Sequence, residues 1–241
     1  MHLAHPAEPW VSLDTETDFR AQSGVDPITA SQCLRQEEKY RFYRLALDMV
    51  KANEISGDYF EFGCHRVRTF RMALTEARRQ GLDRMHFHAF DSFQGLPADD
   101  SDHGVHSYQT GNLKTEEDTF WKLVTSHGIY TDRIHTHKGF YQESLTPELQ
   151  GRLTAAGTKP ALICVDCDLI ASTTPVFNFI APFLQEGAII YIDDYYVGYK
   201  GNPLRSVART WTDFTAEHRT KWHFEPLLNV GWWGRSFIAC S

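Results

Sequence analysis

Short, uniformly apolar runs alternate along this chain with longer segments of helical period. ALICV at 161–165 and GAIIYI at 187–192 have the length and β-branched content of strands buried on both faces. Between them, Ser172-Thr173-Thr174-Pro175 reads as a helix start, a hydroxyl N-cap with proline in the first turn. Val176, Phe177, Ile180, Phe183 and Leu184 give that helix its apolar stripe, and Gly187 is expected to close it. A strand, helix and strand of this size predict a right-handed βαβ unit with parallel strands.

The same alternation extends in both directions. Tyr40, Phe42, Tyr43, Leu45, Ala46, Leu47 and Val50 recur at helical spacing within 29–53, amid the charges of a solvated face, which predicts a helix packed on the core. Strands are predicted at 58–62, 85–90 and 133–137, and helices at 69–79, 116–128 and 204–218. Two further strands, 222–227 and 236–239, flank Gly231-Trp232-Trp233-Gly234 and predict an antiparallel end to the sheet. The fold class is therefore α/β, with one domain over 29–241 and a polar, proline-bearing arm over 1–28. The polar, His-rich segment 99–111 has no period and is expected to form a mobile lid or insertion.

The apolar runs matter for chemistry because of where they stop. ALICV leads into Asp166 and Asp168, and GAIIYI into Asp193 and Asp194. Parallel strands bring both acidic ends to the carboxyl edge of the sheet, where open α/β folds bind ligands. A lone Asp after a strand commonly caps a helix, but a converging set repels itself unless a cation joins it, and Mg²⁺ suits oxygen ligands. Asp166 and Asp168 are two apart and project to one side while the chain is extended. A carboxylate committed to a metal is a poor proton acceptor, so Asp168 is expected to be the base beside Asp166. The strand at 58–62 ends at Gly63 and turns into a helix, an opening that lets a ligand approach the backbone, although no G-x-G-x-x-G is present. Asp91, ending the second strand, is placed to accept hydrogen bonds from both hydroxyls of a ribose.

Composition narrows the classes. The chain has 241 residues, 42% of them hydrophobic, and a formal charge of −7, which argues against nucleic acid or an anionic membrane as a partner. No apolar run approaches the roughly 18 residues of a membrane span, and MHLAHPAEPW lacks a signal-peptide plan, so a cytoplasmic location is expected. The five cysteines, Cys33, Cys64, Cys164, Cys167 and Cys240, are expected to be reduced. Cys164 and Cys167 form a C-x-x-C without a second pair, and read as small buried hydrophobes rather than zinc ligands. His86/His88 and His135/His137 alternate as strand residues do, with His137 nearest a strand end.

EFGCHRVRTF, FDSFQGLP, KGFYQESL, VDCDLIASTTP and EGAIIYIDDYY, in that order, resemble the macrocin O-methyltransferase family. The resemblance covers about 29–239. It implies a Rossmann-like class I methyltransferase fold with a seven-stranded, mostly parallel sheet whose last strand is antiparallel. It also implies S-adenosylmethionine and Mg²⁺ as cofactors, a sugar or glycosylated natural product as acceptor, and a homodimer. By that resemblance Asp166, Asp193 and Asp194 match the metal carboxylates and Asp168 the general base. Glu61, Gly63, Asp91, Ser92 and Phe93 match the cofactor pocket, with Gly139 and Phe140 nearby. Where the family usually has paired glycines, this chain has Val67-Arg68, whose bulk either narrows the pocket or lets Arg68 grip the cofactor carboxylate. It also has Ile170 where the family usually has Tyr after the Asp-x-Asp-Leu run. A catechol-type O-methyltransferase and a non-methylating protein on the same fold are the alternatives.

Overall fold

The computed structural model describes residues 27–98 and 110–241, with side chains from residue 34 onward. Most of the expected arm and lid, at 1–26 and 99–109, lies outside the described residues. The described elements are α1 (Pro27–Ala52), β1 (Asp58–Phe62), α2 (Arg68–Arg79), β2 (Phe87–Asp91), α3 (Glu117–His127), β3 (Ile134–Lys138) and α4 (Tyr141–Ser144). They continue as α5 (Pro147–Ala155), β4 (Pro160–Val165), α6 (Ile170–Ile180), β5 (Ile189–Ile192), α7 (Ser206–His218), β6 (His223–Val230) and β7 (Gly234–Cys240).

The strands form one seven-stranded sheet in the order β3-β2-β1-β4-β5-β7-β6. β1 to β5 run parallel, and β7 is antiparallel to both β5 and β6. Side-chain alternation sends Tyr59, Phe87, Leu162 and Tyr191 into the layer under α1, α2 and α3, and Phe60, Phe62, Ile163 and Ile190 into the layer under α5, α6 and α7. Both faces are covered, which is why the strands read as continuous apolar runs. The C-x-x-C divides between these layers, Cys164 in the first and Cys167 in the second, so its thiols do not converge on a metal. The four cysteines with described side chains are all free thiols.

Three helices differ from expectation, α4 and α5 because neither is predicted and α6 because of where it begins and ends. α6 begins at Ile170 rather than near Ser172, and Pro175 lies inside it. The hydroxyls of Thr173 and Thr174 do not cap a start but donate back to the carbonyls of Leu169 (2.8 Å) and Ile170 (3.1 Å). Pro175 has no N–H for the Ala171 carbonyl, and Gln142 supplies the missing donor at 3.0 Å. α6 also stops at Ile180, well before Gly187, whose φ of +81° belongs to the turn into β5. α5 was not anticipated, although Thr146 caps it by accepting the Leu149 N–H at 3.2 Å and Pro147 opens it.

Across β2 and β3 four histidines interleave as a column, His86 lying just before β2. His86 Nδ1 meets His135 Nε2 at 3.0 Å, and His88 Nδ1 meets His137 Nε2 at 3.1 Å. His137 also stacks on Phe90, with centroids 4.3 Å apart. Burial and the neighbouring histidines push His88 down to about 2, and burial, His135 and Arg152 push His137 down to about 4. Both stay neutral when folded but take up a proton near pH 6.5 when unfolded, so their contribution to stability is lost as pH falls below 6.5. Buried carboxylates such as Glu61, pushed up to about 8, act with the opposite sign, so the readable quantity is a difference between variants. In urea titrations His88→Phe is expected to gain on the wild type by about 1.4 kcal/mol per pH unit below 6.5. A difference that stays constant down to pH 5 contradicts a neutral His88.

Candidate active site

Strand order reverses between β1 and β4, and a cleft of about 350 Å³ opens at their carboxyl ends. Gly63 stands at its floor with φ +91°, and a Cβ there would meet the Asp166 carbonyl oxygen at 1.9 Å. The glycine is required because the ends of β1 and β4 nearly touch. The Asp166 N–H reaches the Phe62 carbonyl at 2.9 Å, which fixes where the Asp166 side chain leaves the strand.

The chain then turns through His65–Val67 into α2. Arg66 (φ 56°) and Val67 (φ 57°) are both left-handed, whereas Arg68 is already right-handed helix. The glycine-demanding pair is therefore Arg66-Val67, one residue earlier than Val67-Arg68. Val67 is fully buried in the α1–α3 layer, and that packing holds a β-branched residue where it is disfavoured. Thr115 accepts the Arg66 N–H at 2.8 Å and lies 3.2 Å from His65 Nδ1, tying this turn to the segment before α3. His65, Arg66 and Arg68 all line the cleft; the two arginines give it positive charge, while burial and Arg66 push His65 down to about 4 and keep it neutral.

Asp91 ends β2 in the cleft and organises two loops. Its Oδ2 accepts the Cys64 N–H and its Oδ1 the Phe93 N–H, each at 2.6 Å. Burial raises its pKa against those two donors. Each oxygen keeps a lone pair for a hydroxyl. Ser92 lines the cleft but works within its own turn, donating to the Gly95 carbonyl at 2.8 Å and accepting the Gln94 N–H at 3.0 Å. Phe93 does not line the cleft; its ring packs edge-on against Phe120 in the core. Gly139, whose N–H donates to the Asp91 carbonyl at 3.0 Å, and Phe140 also line the cleft.

Glu61 lies beneath the cleft rather than in it. It is fully buried on β1, where the Tyr59 hydroxyl donates to Oε2 and Thr69 Oγ1 donates to Oε1 at 2.7 Å. Burial outweighs both donors and pushes its carboxyl up to about 8. Its contact with the cleft passes through Thr69, which lines it.

Asp166, Asp168 and Asp193 line the cleft and Asp194 lies buried beside them, so the structure sorts the four aspartates unevenly. Carboxylate oxygens of Asp166, Asp168 and Asp194 lie within 4.8 Å of one another. Asp193 is not in that group. Its Oδ1 accepts the Tyr191 hydroxyl, and its Oδ2 takes Lys39 Nζ at 2.9 Å and Arg35 Nη2 at 3.2 Å. Both cations come from α1, whose charged face was expected to be solvated; Lys39 is only 6% exposed. Lys39 also holds Asp166 Oδ2 at 2.9 Å, and Arg35 lies 3.4 Å from Asp194 Oδ1 and 4.9 Å from the centre of the Trp233 ring.

Electrostatics follow this sorting. Asp166 is pushed up to about 7 by burial and Asp193, against Lys39. Asp194 is driven well up by burial, Asp168 and Asp193. Burial would raise Asp193 too, but Lys39 and Arg35 hold it below the usual carboxylate range. Oδ2 of Asp194 is buried and meets no hydrogen-bond donor. An orphaned carboxylate oxygen beside two more carboxylates fits a hard cation with oxygen ligands.

A sheet of this order with β7 antiparallel, helices on both faces and a ligand cleft at its switch point is the class I methyltransferase fold. The sequence matches the Macrocin-O-methyltransferase (TylF) family over residues 2–237, and the chain belongs to that family. It is 26% identical over 156 residues to the 8-demethyl-8-(2,3-dimethoxy-alpha-L-rhamnosyl)-tetracenomycin-C 4'-O-methyltransferase of Streptomyces olivaceus, a match spanning 62% of this chain and 57% of that relative. Among solved structures, the O-methyltransferase NovP superposes with a TM-score of 0.69 at 16% identity, covering 85% of this chain and 80% of NovP. The calicheamicin methyltransferase CalS11 superposes at 0.65 with 18% identity, covering 98% of this chain and 93% of CalS11. No helix among the described residues is long and apolar enough to cross a membrane.

Proposed function

We propose that this chain transfers a methyl group from S-adenosylmethionine to a hydroxyl of a sugar or glycosylated natural product, with Mg²⁺ at the acidic end of the cleft. The observation that carries the proposal is one cleft lined by Asp91, Arg66 and Arg68 together with Asp166, Asp168 and Asp193, with a carboxylate oxygen of Asp194 within 4.8 Å of those of Asp166 and Asp168. Family membership supports the donor, and the rhamnosyl substrate in the name of the Streptomyces olivaceus relative supports a sugar-bearing acceptor.

When bound, the donor supplies an electrophilic sulfonium methyl, and the metal supplies positive charge that makes a nearby hydroxyl more acidic. The chain's own residues do the rest. Asp91 accepts the ribose hydroxyls, and Gly63 lets the donor lie against the backbone. Arg68, with Arg66 beside it, offers positive charge to the donor carboxylate. Phe140 and Tyr141 wall the cleft against water. Asp166, Asp193 and Asp194 are the carboxylates that would hold the metal. Asp168 takes the proton from the attacking hydroxyl, and alignment of that oxygen with the methyl supplies much of the remaining rate.

We also read the enzyme as cytoplasmic and as a homodimer; sedimentation of the purified chain checks the dimer. The function itself is tested by incubating the chain with S-adenosylmethionine, Mg²⁺ and a panel of nucleotide sugars, glycosides and catechols, with mass detection. Addition of one methyl to a sugar hydroxyl is expected. Methylation confined to catechols overturns the sugar assignment.

A further inference from the structure

We propose that Trp232, on the turn between β6 and β7, is the platform on which the sugar of the acceptor stacks. This rests on the sugar-methylating reading above and adds to it a residue that selects the acceptor.

The topology brings this turn to the site. β7 is antiparallel to β5 and Arg235 pairs with Ile192, so the chain enters β7 where β5 ends, at the carboxyl edge that also carries Asp193 and Asp194. The approach is close, since a Cβ on Gly234 would meet the Asp193 carbonyl oxygen at 3.0 Å. The Tyr196 N–H donates to the Trp233 carbonyl at 2.8 Å and fastens the turn to the segment after Asp194.

The two tryptophans of the turn have different surroundings. Trp233 is buried, with the Arg35 guanidinium 4.9 Å from its ring centre, and Arg35 in turn lines the cleft and holds Asp193. Trp232 stands 6.0 Å from Trp233, centre to centre, with the rings at 89°, and is 70% exposed. Among the described residues no other large apolar side chain is as exposed. A lone apolar residue on a surface is ordinary, but this one stands beside the aspartates of the cleft on a turn held from two sides.

Sheet order and size say what would lie there. The residues assigned to the donor, Asp91 and Gly63, follow β2 and β1, the aspartates follow β4 and β5, and the next strand outward is β7. A cleft of about 350 Å³ is at the small end of the roughly 300–1,000 Å³ that ligand pockets span. With the donor inside, an acceptor carrying a sugar must extend over the mouth, away from the donor and towards the β6–β7 turn. An indole offers a broad apolar face with negative charge above the ring, which suits the C–H face of a pyranose while the sugar hydroxyls stay free around its edge.

The test is calorimetric titration with p-nitrophenyl glycosides of rhamnose and glucose, in the presence of Mg²⁺ and S-adenosylhomocysteine so that no methyl is transferred. The wild type is expected to bind at least one of them, Trp232→Ala about tenfold or more weakly, and Trp232→Phe in between. Affinity for S-adenosylmethionine, the melting temperature and the sedimentation of both variants should match the wild type. Equal glycoside affinity in wild type and Trp232→Ala overturns the inference and leaves the sugar reading standing, whereas absence of glycoside binding by the wild type overturns both. Weakened binding that accompanies dissociation of a dimer places the indole between subunits and overturns the inference as well.

Discussion

Asp91→Ala is expected to lower affinity for S-adenosylmethionine by about 10²–10⁴-fold. The change removes the acceptor for two ribose hydroxyls, and charge-assisted hydrogen bonds of this kind are worth about 1.5–3 kcal/mol each. The structure adds a cost beyond the ligand. Asp91 accepts the N–H groups of Cys64 and Phe93, so its loss leaves two backbone donors unpaired and loosens the loops after β1 and β2. Asp91→Ala should therefore unfold at lower temperature than wild type even without cofactor. Asp91→Asn keeps one carbonyl acceptor and should retain more of the fold while still losing affinity. Calorimetry on both variants is the check, and wild-type affinity in either places the ribose elsewhere.

The second large effect is expected at Asp168. Its backbone is left-handed, with φ 60°, a conformation that Asn tolerates better than most residues, so Asp168→Asn changes the acid–base chemistry and spares the turn. Removal of a general base lowers kcat by about 10²–10⁴-fold, and affinity for the donor should stay near wild type. Asp166→Asn is expected to behave differently. It removes one of the metal carboxylates, weakens Mg²⁺ binding and recovers part of its activity at high Mg²⁺. Turnover measured across a Mg²⁺ series for both variants decides between the roles. Normal turnover by Asp168→Asn, or rescue by metal to the same extent as Asp166→Asn, contradicts a base at 168.

Much of the fold was legible because the strands are buried on both faces. Runs such as ALICV can be nothing but interior, and their abrupt acidic ends locate the carboxyl edge before any coordinates exist. Helix ends were harder to place. Ser172-Thr173-Thr174-Pro175 has the composition of a start, yet it continues a helix already begun at Ile170, because Gln142 supplies the donor that Pro175 lacks. That compensation comes from a residue about thirty positions away, and local composition does not carry it. Thr146-Pro147 was a readable start that the motif KGFYQESL overshadowed.

The site was legible in its strand-end residues and obscure wherever a helix enters it. Gly63, Asp91, Gly139, Asp166 and Asp168 all line the cleft. Arg35 and Lys39 sit in a stretch whose charges read as a solvated face, and only the packing of α1 over β4 and β5 brings them to the carboxylates. Asp193 and Asp194 are indistinguishable by composition. What separates them is the Tyr191 hydroxyl and the two α1 cations on Asp193, against an orphaned oxygen on Asp194. The Arg66-Val67 turn shows the same limit, because which residue takes a positive φ is settled by how α2 docks.

The central claim is that this cleft holds S-adenosylmethionine, and isothermal titration of the wild-type chain with that cofactor, with and without Mg²⁺, tests it most directly. Saturable binding at one site per chain is predicted, strongly reduced in Asp91→Ala. Absence of binding under both conditions would contradict the account and favour a non-methylating protein on the same fold.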